Sequence, residues 1–326
     1  MTTRPLRIVL PGGSGQVGQM LARRLQERGH RVTVLTRGPY TAPWETVHWD
    51  GQEIGPWIET LEGADVCINL AGRSVDCRYH AANRRKIYDS RIVTTRLLNR
   101  VIAGLDEPPR VWLNASTATI YRHALDRPMD EATGELGGHE LISKRRRAPE
   151  TWNFSIRVAK DWETAFFETP TPRTRKVAMR SAIVLIAASG SSFQTLLNLV
   201  RVGLGGRQGN GRQFVSWIHE LDFARAVEFL IEHQEMDGAV NIAAPHPLPN
   251  AEFMEALRDA WEMPNGLPLP WPLLELGALL LRTESELVLK SRYVIPGRLL
   301  DAGFEFEFPD WPEAAEDLVR RWKNRE

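Results

Sequence analysis

Cysteine is almost missing from this sequence: Cys67 and Cys77 are the only two in 326 residues. Two cysteines make no disulfide framework, and neither sits in a metal-ligand spacing, so no metal is expected. Net charge is missing as well. Lys and Arg together number 41, as do Asp and Glu, which leaves a formal charge of zero at pH 7. That balance excludes bulk attraction to nucleic acid or to an anionic membrane, and neither is expected as a partner. Long apolar runs are lacking too. The most apolar late stretch, from Leu267 to Leu281, is broken by Pro268, Pro270, Pro272 and Glu275. A spanning helix needs about twenty mostly apolar residues, so a buried or interface helix is expected there. Met1 to Arg7 contains no signal-peptide core, and a soluble, cytoplasmic protein is expected.

What is present suits one large α/β domain, or a nucleotide domain with a smaller partner. Arg7 to Leu10 is a short apolar run that ends in Pro11 and a glycine cluster. Gln16 to Arg28 then has helical spacing through Val17, Met20, Leu21 and Leu25, stopped by Gly29. Val32 to Leu35 is β-branched. Strand, glycine turn, helix, strand is a βαβ unit, which implies a parallel sheet. Further strands are expected at Val47 to Trp49, Val66 to Leu70, Val111 to Asn114, Val177 to Ile186 and Val240 to Ile242. Val66 to Leu70 is continuously apolar, as in a strand covered on both faces, and Cys67 within it reads as a small buried hydrophobe. Helices are expected from Arg84 to Ala103, Trp152 to Phe167 and Asp222 to His233, the last capped by Asp222. Residues 187–215, rich in Gly, Ser and Gln, read as loop and substrate-side structure. The fold class expected is a Rossmann doubly wound sheet with a smaller C-terminal lobe. Residues 1–187 and 214–245 form the nucleotide domain, and 188–213 with 246–326 the lobe facing the substrate.

Gly12, Gly15 and Gly18 fall in Pro11-Gly12-Gly13-Ser14-Gly15-Gln16-Val17-Gly18. The first glycine suits a tight turn out of the strand, the second a close approach of a diphosphate, the third close packing of helix on strand. The helix N-terminus then offers free N–H groups to an anion. After the second strand stand Thr36 and Arg37, where a carboxylate would accept from the ribose of NAD. A guanidinium there pairs with a 2′-phosphate, so NADP(H) is the expected cofactor. Leu70, Ala71 and Gly72 end the next strand and let its backbone lie against the ligand. In the long helix that follows, Arg91 falls inside the apolar stripe of Ile87, Thr94, Leu98, Val101 and Ile102. A buried charge must find an anion: either the cofactor or a carboxylate of the protein. Lys86, at the edge of that stripe, is a further candidate.

These residues resemble the short-chain dehydrogenase/reductase superfamily, and within it the NAD-dependent epimerase/dehydratase-like group called epimerase family proteins. Further markers are Ile68-Asn69-Leu70-Ala71-Gly72, Asp89-Ser90-Arg91, Asp161-Trp162-Glu163, Gly209-Asn210-Gly211-Arg212-Gln213, Ser216-Trp217-Ile218-His219 and Val294-Ile295-Pro296. The resemblance implies NADP(H) binding, with Thr36, Arg37, Leu70, Ala71, Lys86, Arg91 and Val184 at its cofactor contacts. It implies no known substrate.

Extended reductases use Tyr-x-x-x-Lys with a Ser or Thr, the lysine helping the phenol exchange a proton with the substrate oxygen. Counted back from Trp162-Glu163, the tyrosine position holds Ser155 and the lysine position Ala159. Lys160 is one residue off and points elsewhere on a helix. Ser116 and Thr117 end their strand as candidate catalytic hydroxyls, against the alternative that they bond their own backbone. Tyr88 and Tyr121 are the only phenols expected near this site, and neither is expected to be catalytic. On the substrate side, Arg212 and Gln213 suit an anionic or polyhydroxyl small molecule, and Trp217 suits stacking on it. Arg78 and His80 are within reach, whereas His219 reads as structural. The cationic run Lys144 to Arg147 reads as a solvated loop.

Overall fold

Parallel strands linked by helices make the framework of the first 245 residues. In a computed structural model, residues 4–138, 141–143, 146–147, 149–280, 284 and 286–325 are described. In chain order the elements begin with β1 (Arg7–Pro11), α1 (Gln16–Glu27), β2 (Arg31–Thr36), β3 (Glu45–His48), β4 (Val66–Asn69), α2 (Ala81–Gly104) and β5 (Val111–Thr117). A small hairpin, β6 (Leu141–Ser143) and β7 (Arg146–Arg147), precedes α3 (Glu150–Phe167), β8 (Arg175–Ser181), β9 (Ile183–Leu185) and α4 (Ser192–Arg201). Then come β10 (Phe214–Val215), β11 (Trp217–His219), α5 (Glu220–Glu232), β12 (Gly238–Ile242) and β13 (Leu248–Pro249). The chain ends with α6 (Asn250–Trp261), α7 (Trp271–Leu280), α8 (Glu286–Leu289), α9 (Gly297–Asp301) and α10 (Trp311–Lys323).

Seven strands form the central sheet in the order β3-β2-β1-β4-β5-β8-β12. Every pair in it is parallel. This is the expected doubly wound Rossmann sheet with a smaller C-terminal region. Alternate residues face opposite sides. Ile8, Leu10, Val66 and Ile68 meet Leu21 and Leu25 of α1 and Val227 and Leu230 of α5. Val9, Cys67 and Trp112 meet Leu97, Leu98 and Ile102 of α2 and Phe166 of α3. Val66 to Asn69 is therefore covered on both sides, and Cys67 is fully buried. Sheet order reverses between β1 and β4, which opens a crevice at their carboxyl ends.

Three expectations need correction. The segment read as one strand from Val177 to Ile186 breaks at Ala182, whose N–H donates to the Ile242 carbonyl. Beyond it β9 leaves β12 and pairs with β11. The segment 187–215 is not all loop, because it contains α4. Ser191 caps that helix, its hydroxyl accepting from the Gln194 N–H at 3.0 Å. Phe193, Leu197 and Val200 are its buried face, against Phe253 and Leu257 of α6 and Trp311 and Leu318 of α10. Asp222 is not the cap of α5. His219 holds that place, Nδ1 accepting from the Leu221 N–H at 3.1 Å. The Asp222 carboxylate instead accepts from the N–H groups of Glu307 and Phe308, each at 2.8 Å, and so ties the C-terminal segment to α5.

Within the apolar late stretch, Trp271–Leu280 form α7, on which Leu273 is exposed, and Leu267 ahead of it is exposed as well; Leu281 lies outside the described residues. Among the described residues no helix is long and apolar enough to cross a membrane. Lys144 and Arg145 of the cationic run lie outside the described residues, and Arg146 and Arg147 pair in the small hairpin.

Candidate cofactor crevice and inner cavity

The glycine turn shapes the mouth of the crevice. Gly12 has φ +74°, and its N–H donates to the Leu35 carbonyl at 2.9 Å. A Cβ on it would lie 2.5 Å from Cα of Ala71, so the ends of β1 and β4 meet here without room for any side chain. A Cβ on Gly18 would run into the backbone of Gly13, which fits the close helix packing expected of the third glycine. Gly15 is the N-cap of α1 and makes no side-chain capping bond. The first N–H groups of α1 therefore face the crevice for an anion to use.

This outer crevice has a volume of about 690 Å³. It brings together Gly12, Ser14, Gly15, Thr36, Arg37, Leu70, Ala71, Gly72 and Lys86. Arg37 and Lys86 are exposed at its rim. Thr36 donates to Oγ of Ser14 at 3.2 Å, linking the second strand end to the turn. Gly13 is buried beneath the turn, and the Gln16 amide donates to the Ser189 carbonyl at 2.8 Å; neither lines the crevice.

Leu70, Gly72 and Arg73 also line a second, inner cavity of about 370 Å³. Val17 and Val184 are on its wall with Ser116, Thr117 and Arg91. Arg91 Nη1 donates to the carbonyls of Arg73 and Ile87, both at 3.1 Å, and the guanidinium lies over Trp162. No carboxylate pairs with it among the described residues. Burial pushes its pKa down to about 10, which still leaves a cation at neutral pH. A Cβ on Gly72 would touch its Cζ at 3.3 Å, so the missing side chain keeps the guanidinium next to the crevice floor.

Ser116 donates to Oε1 of Glu163 at 2.6 Å, and Glu163 is also paired with Arg180, whose Nη2 is 2.7 Å from Oε2. Thr117 accepts from the Thr119 N–H at 3.1 Å, the local backbone bond open to a strand-end hydroxyl. Tyr121 is buried away from the cavity. Its phenol donates to Asn241 and accepts from Arg180, both at 2.9 Å.

Gln213 and Trp217 lie outside both spaces. The Gln213 amide donates to the Gln208 carbonyl at 2.8 Å, and Trp217 packs edge-on against Trp311 at 5.0 Å in the C-terminal core. His219 is buried between Asp317 and the Leu221 N–H.

Ser155 and Ala159 do face the inner cavity, at the positions counted for tyrosine and lysine. The residues that complete this wall were not anticipated: Tyr79, from the loop after β4, and Glu286 and Arg292, from the C-terminal region. Tyr79 stands between the two residues, Arg78 and His80, that were placed near the pocket. Glu286 to Lys290 has helical ion-pair spacing and reads in sequence as a solvated pair. Only the docking of the C-terminal region buries both.

A parallel sheet, a glycine turn at its switch point and a cation-rimmed crevice define a dinucleotide-binding α/β protein. Residues 8–144 match the NAD dependent epimerase/dehydratase family, and residues 269–318 match a domain of unknown function designated DUF1731. The epimerase family protein SDR39U1 of Bos taurus is 31% identical over 320 residues, covering 96% of this chain and 100% of the relative. Its Homo sapiens counterpart is 30% identical over 319 residues, with the same coverage. The crystal structure of human SDR39U1 (isoform 2) with NADPH superposes with a TM-score of 0.82 at 28% identity, covering 96% of this chain and 99% of that one. A nucleoside-diphosphate sugar epimerase from Corynebacterium glutamicum shares the fold, with a TM-score of 0.71 at 24% identity over 97% of this chain and 59% of that chain. The chain belongs to the NAD dependent epimerase/dehydratase family, among the epimerase family proteins.

Proposed function

We propose that this protein is an NADP(H)-dependent oxidoreductase, or an epimerase-like enzyme, acting on a small polar carbonyl or alcohol. The observation that carries the reading is the inner cavity opening off the cofactor crevice at Leu70 and Gly72. The residues present fit the cofactor. The turn at Gly12 leaves a cradle that a Cβ would fill, and Arg91 is a half-buried cation with no carboxylate partner among the described residues. The α1 N-terminus would hold the diphosphate, Arg37 the 2′-phosphate, and Arg91 the diphosphate or the nicotinamide ribose. Bound NADPH supplies a hydride to a substrate carbon. Val17, Val184 and Trp162 exclude water from that end, and Thr117 orients the substrate oxygen, the Ser116 proton being committed to Glu163. The partner is a small molecule, with no role for nucleic acid or membrane. A cytoplasmic location goes with this reading, supported by free Cys67 and Cys77.

A second reading is a protein that binds NADP(H) without turnover, as sensor or docking platform. Ser155 and Ala159 favour it, because neither replaces the phenol or the ammonium of the usual pair. NADPH oxidation against a broad carbonyl panel separates the two. Turnover on one class of carbonyl supports the enzyme. Tight NADPH binding with no turnover on any of the panel moves the conclusion to the sensor.

A further inference from the structure

Three polar groups on the inner cavity meet although they come from distant parts of the chain. The phenol of Tyr79 and the hydroxyl of Ser155 stand as neighbours on that cavity wall. Oγ of Ser155 lies 2.6 Å from Oε2 of Glu286, a contact in which the hydroxyl donates to the carboxylate and accepts from the neutral acid. We infer that Tyr79 is the acid–base residue of this site, with Ser155 and Glu286 as the relay that exchanges its proton. This inference rests on the oxidoreductase reading above.

Tyr79 is held rigidly. Its N–H donates to Oε1 of Glu284 at 2.6 Å, its carbonyl accepts from Nε of Arg84 at 2.5 Å, and its ring packs edge-on against Phe154 at 5.3 Å. A phenol serving only as core filler needs no buried carboxyl group bonded to the hydroxyl beside it. Here that carboxyl is 1% exposed. Its Oε1 lies 3.7 Å from Nη2 of Arg292 and has no hydrogen-bond partner among the described residues. Burying an ionised carboxylate with one oxygen unbonded is costly, so the neutral acid is favoured. Burial accordingly raises the Glu286 pKa and Glu284 adds to it, while Arg292, Lys290 and the Ser155 hydrogen bond oppose it. Burial also raises the pKa of Tyr79, which keeps the phenol protonated at neutral pH; an ionised Glu286 adds to the rise, and Ser155, Arg292 and Arg91 oppose it. Ser155 stands where related reductases carry tyrosine. The Tyr79 phenol lines the same cavity from the loop after β4.

In carbonyl reduction, the Tyr79 O–H bond breaks as its proton bonds to the substrate oxygen. The Ser155 proton moves to Oη of Tyr79, and the Glu286 carboxyl proton moves to Oγ of Ser155. The two electrons arrive with the hydride on the carbonyl carbon. Glu286 is left as a carboxylate near Arg292 and regains a proton from water. Alcohol oxidation runs the same steps backwards.

The test uses the full chain and the substitutions Tyr79→Phe, Ser155→Ala and Glu286→Gln. Infrared spectra with carbon-13-labelled glutamate should contain a neutral carboxyl stretch at pH 7 that is absent from Glu286→Gln. Ser155→Ala and Tyr79→Phe should each shift that band. Absence of the band, or a band that Tyr79→Phe leaves in place, overturns the relay. NADPH affinity, read by fluorescence, should stay within about twofold in Tyr79→Phe, which keeps the ring on Phe154. Reduction of the probe 9,10-phenanthrenequinone by NADPH should fall by about two to four powers of ten. A quinone rate unchanged in Tyr79→Phe overturns the assignment of the acid. Failure of the unaltered protein to bind NADPH refutes the cofactor reading instead. Tight binding without quinone reduction counts against the enzyme reading, and the infrared band still decides the relay.

Discussion

The guanidinium of Arg91 lies over the indole of Trp162, its Cζ 5.1 Å from the ring centre. A cation set on an aromatic face, with carbonyls around it and no carboxylate paired to it among the described residues, is ready for an anionic ligand. The alternative raised by the sequence, a salt bridge within the protein, does not form among the described residues.

Arg91→Leu should therefore weaken NADPH binding by about tenfold or more, as expected for loss of a charge-assisted contact. Stability without cofactor should change by less than about 1 kcal/mol, because the lost bonds are offset by relief of a buried charge. Calorimetric titration and urea unfolding report the two effects separately. A large loss of stability with affinity intact would assign Arg91 to the fold alone.

Cofactor choice is predicted to rest on Arg37, exposed at the rim of the outer crevice. Arg37→Asp should weaken NADPH by about 10- to 100-fold, from the loss of a charge-assisted hydrogen bond and its replacement by repulsion. NADH affinity should be kept or improved. Equal affinity of the unaltered protein for both cofactors would show that the 2′-phosphate is not read here.

The buried chain Ser116–Glu163–Arg180–Tyr121–Asn241 is expected to be a stability element. Glu163→Gln leaves the buried Arg180 guanidinium without its counter-charge and should cost about 3–5 kcal/mol in urea unfolding. Ser116→Ala removes one hydrogen bond to a charged acceptor and should cost only about 1–3 kcal/mol. If Ser116 orients substrate as well, its alanine variant should raise KM on an active carbonyl with little further effect on the fold.

Acid should loosen the C-terminal wall of the inner cavity. Nδ1 of His123 accepts from the Ser291 N–H at 3.0 Å. Burial first, then Lys290, Arg122 and Arg292, hold its pKa down to about 4 from an ordinary 6.5. A histidine neutral when folded but protonated when unfolded stabilises the fold fully above pH 6.5, and that contribution is lost as pH falls toward 4. The loss should reach about 3 kcal/mol at most. His219, also held down to about 4 by burial, gives a parallel slope. The difference between the unaltered protein and His123→Gln, in urea midpoints across that window, isolates His123. Parallel curves for the two proteins would rule out its role.

The sequence by itself determined the sheet, the glycine turn and the cation at Arg37, because each depends on residues close together in the chain. Period-two and period-3.6 apolar spacing is a local property, and so is the turn that Gly12 permits. It also placed Arg91 on a buried face, since one helix fixes that geometry. It did not separate strand β9 from β8, because the change of neighbour at Ala182 is set by what the Ile242 carbonyl offers. It gave Gln213 and Trp217 to the substrate, whereas packing against α10 and the 208–213 turn draws them away from the cavity. Only the tertiary structure decided the inner wall. Tyr79, Ser155 and Glu286 lie in three separate segments, and nothing in their local spacing relates them. The docking of the C-terminal region removes Glu286 from water, and that burial turns an apparently solvated charge into a group that can hold a proton.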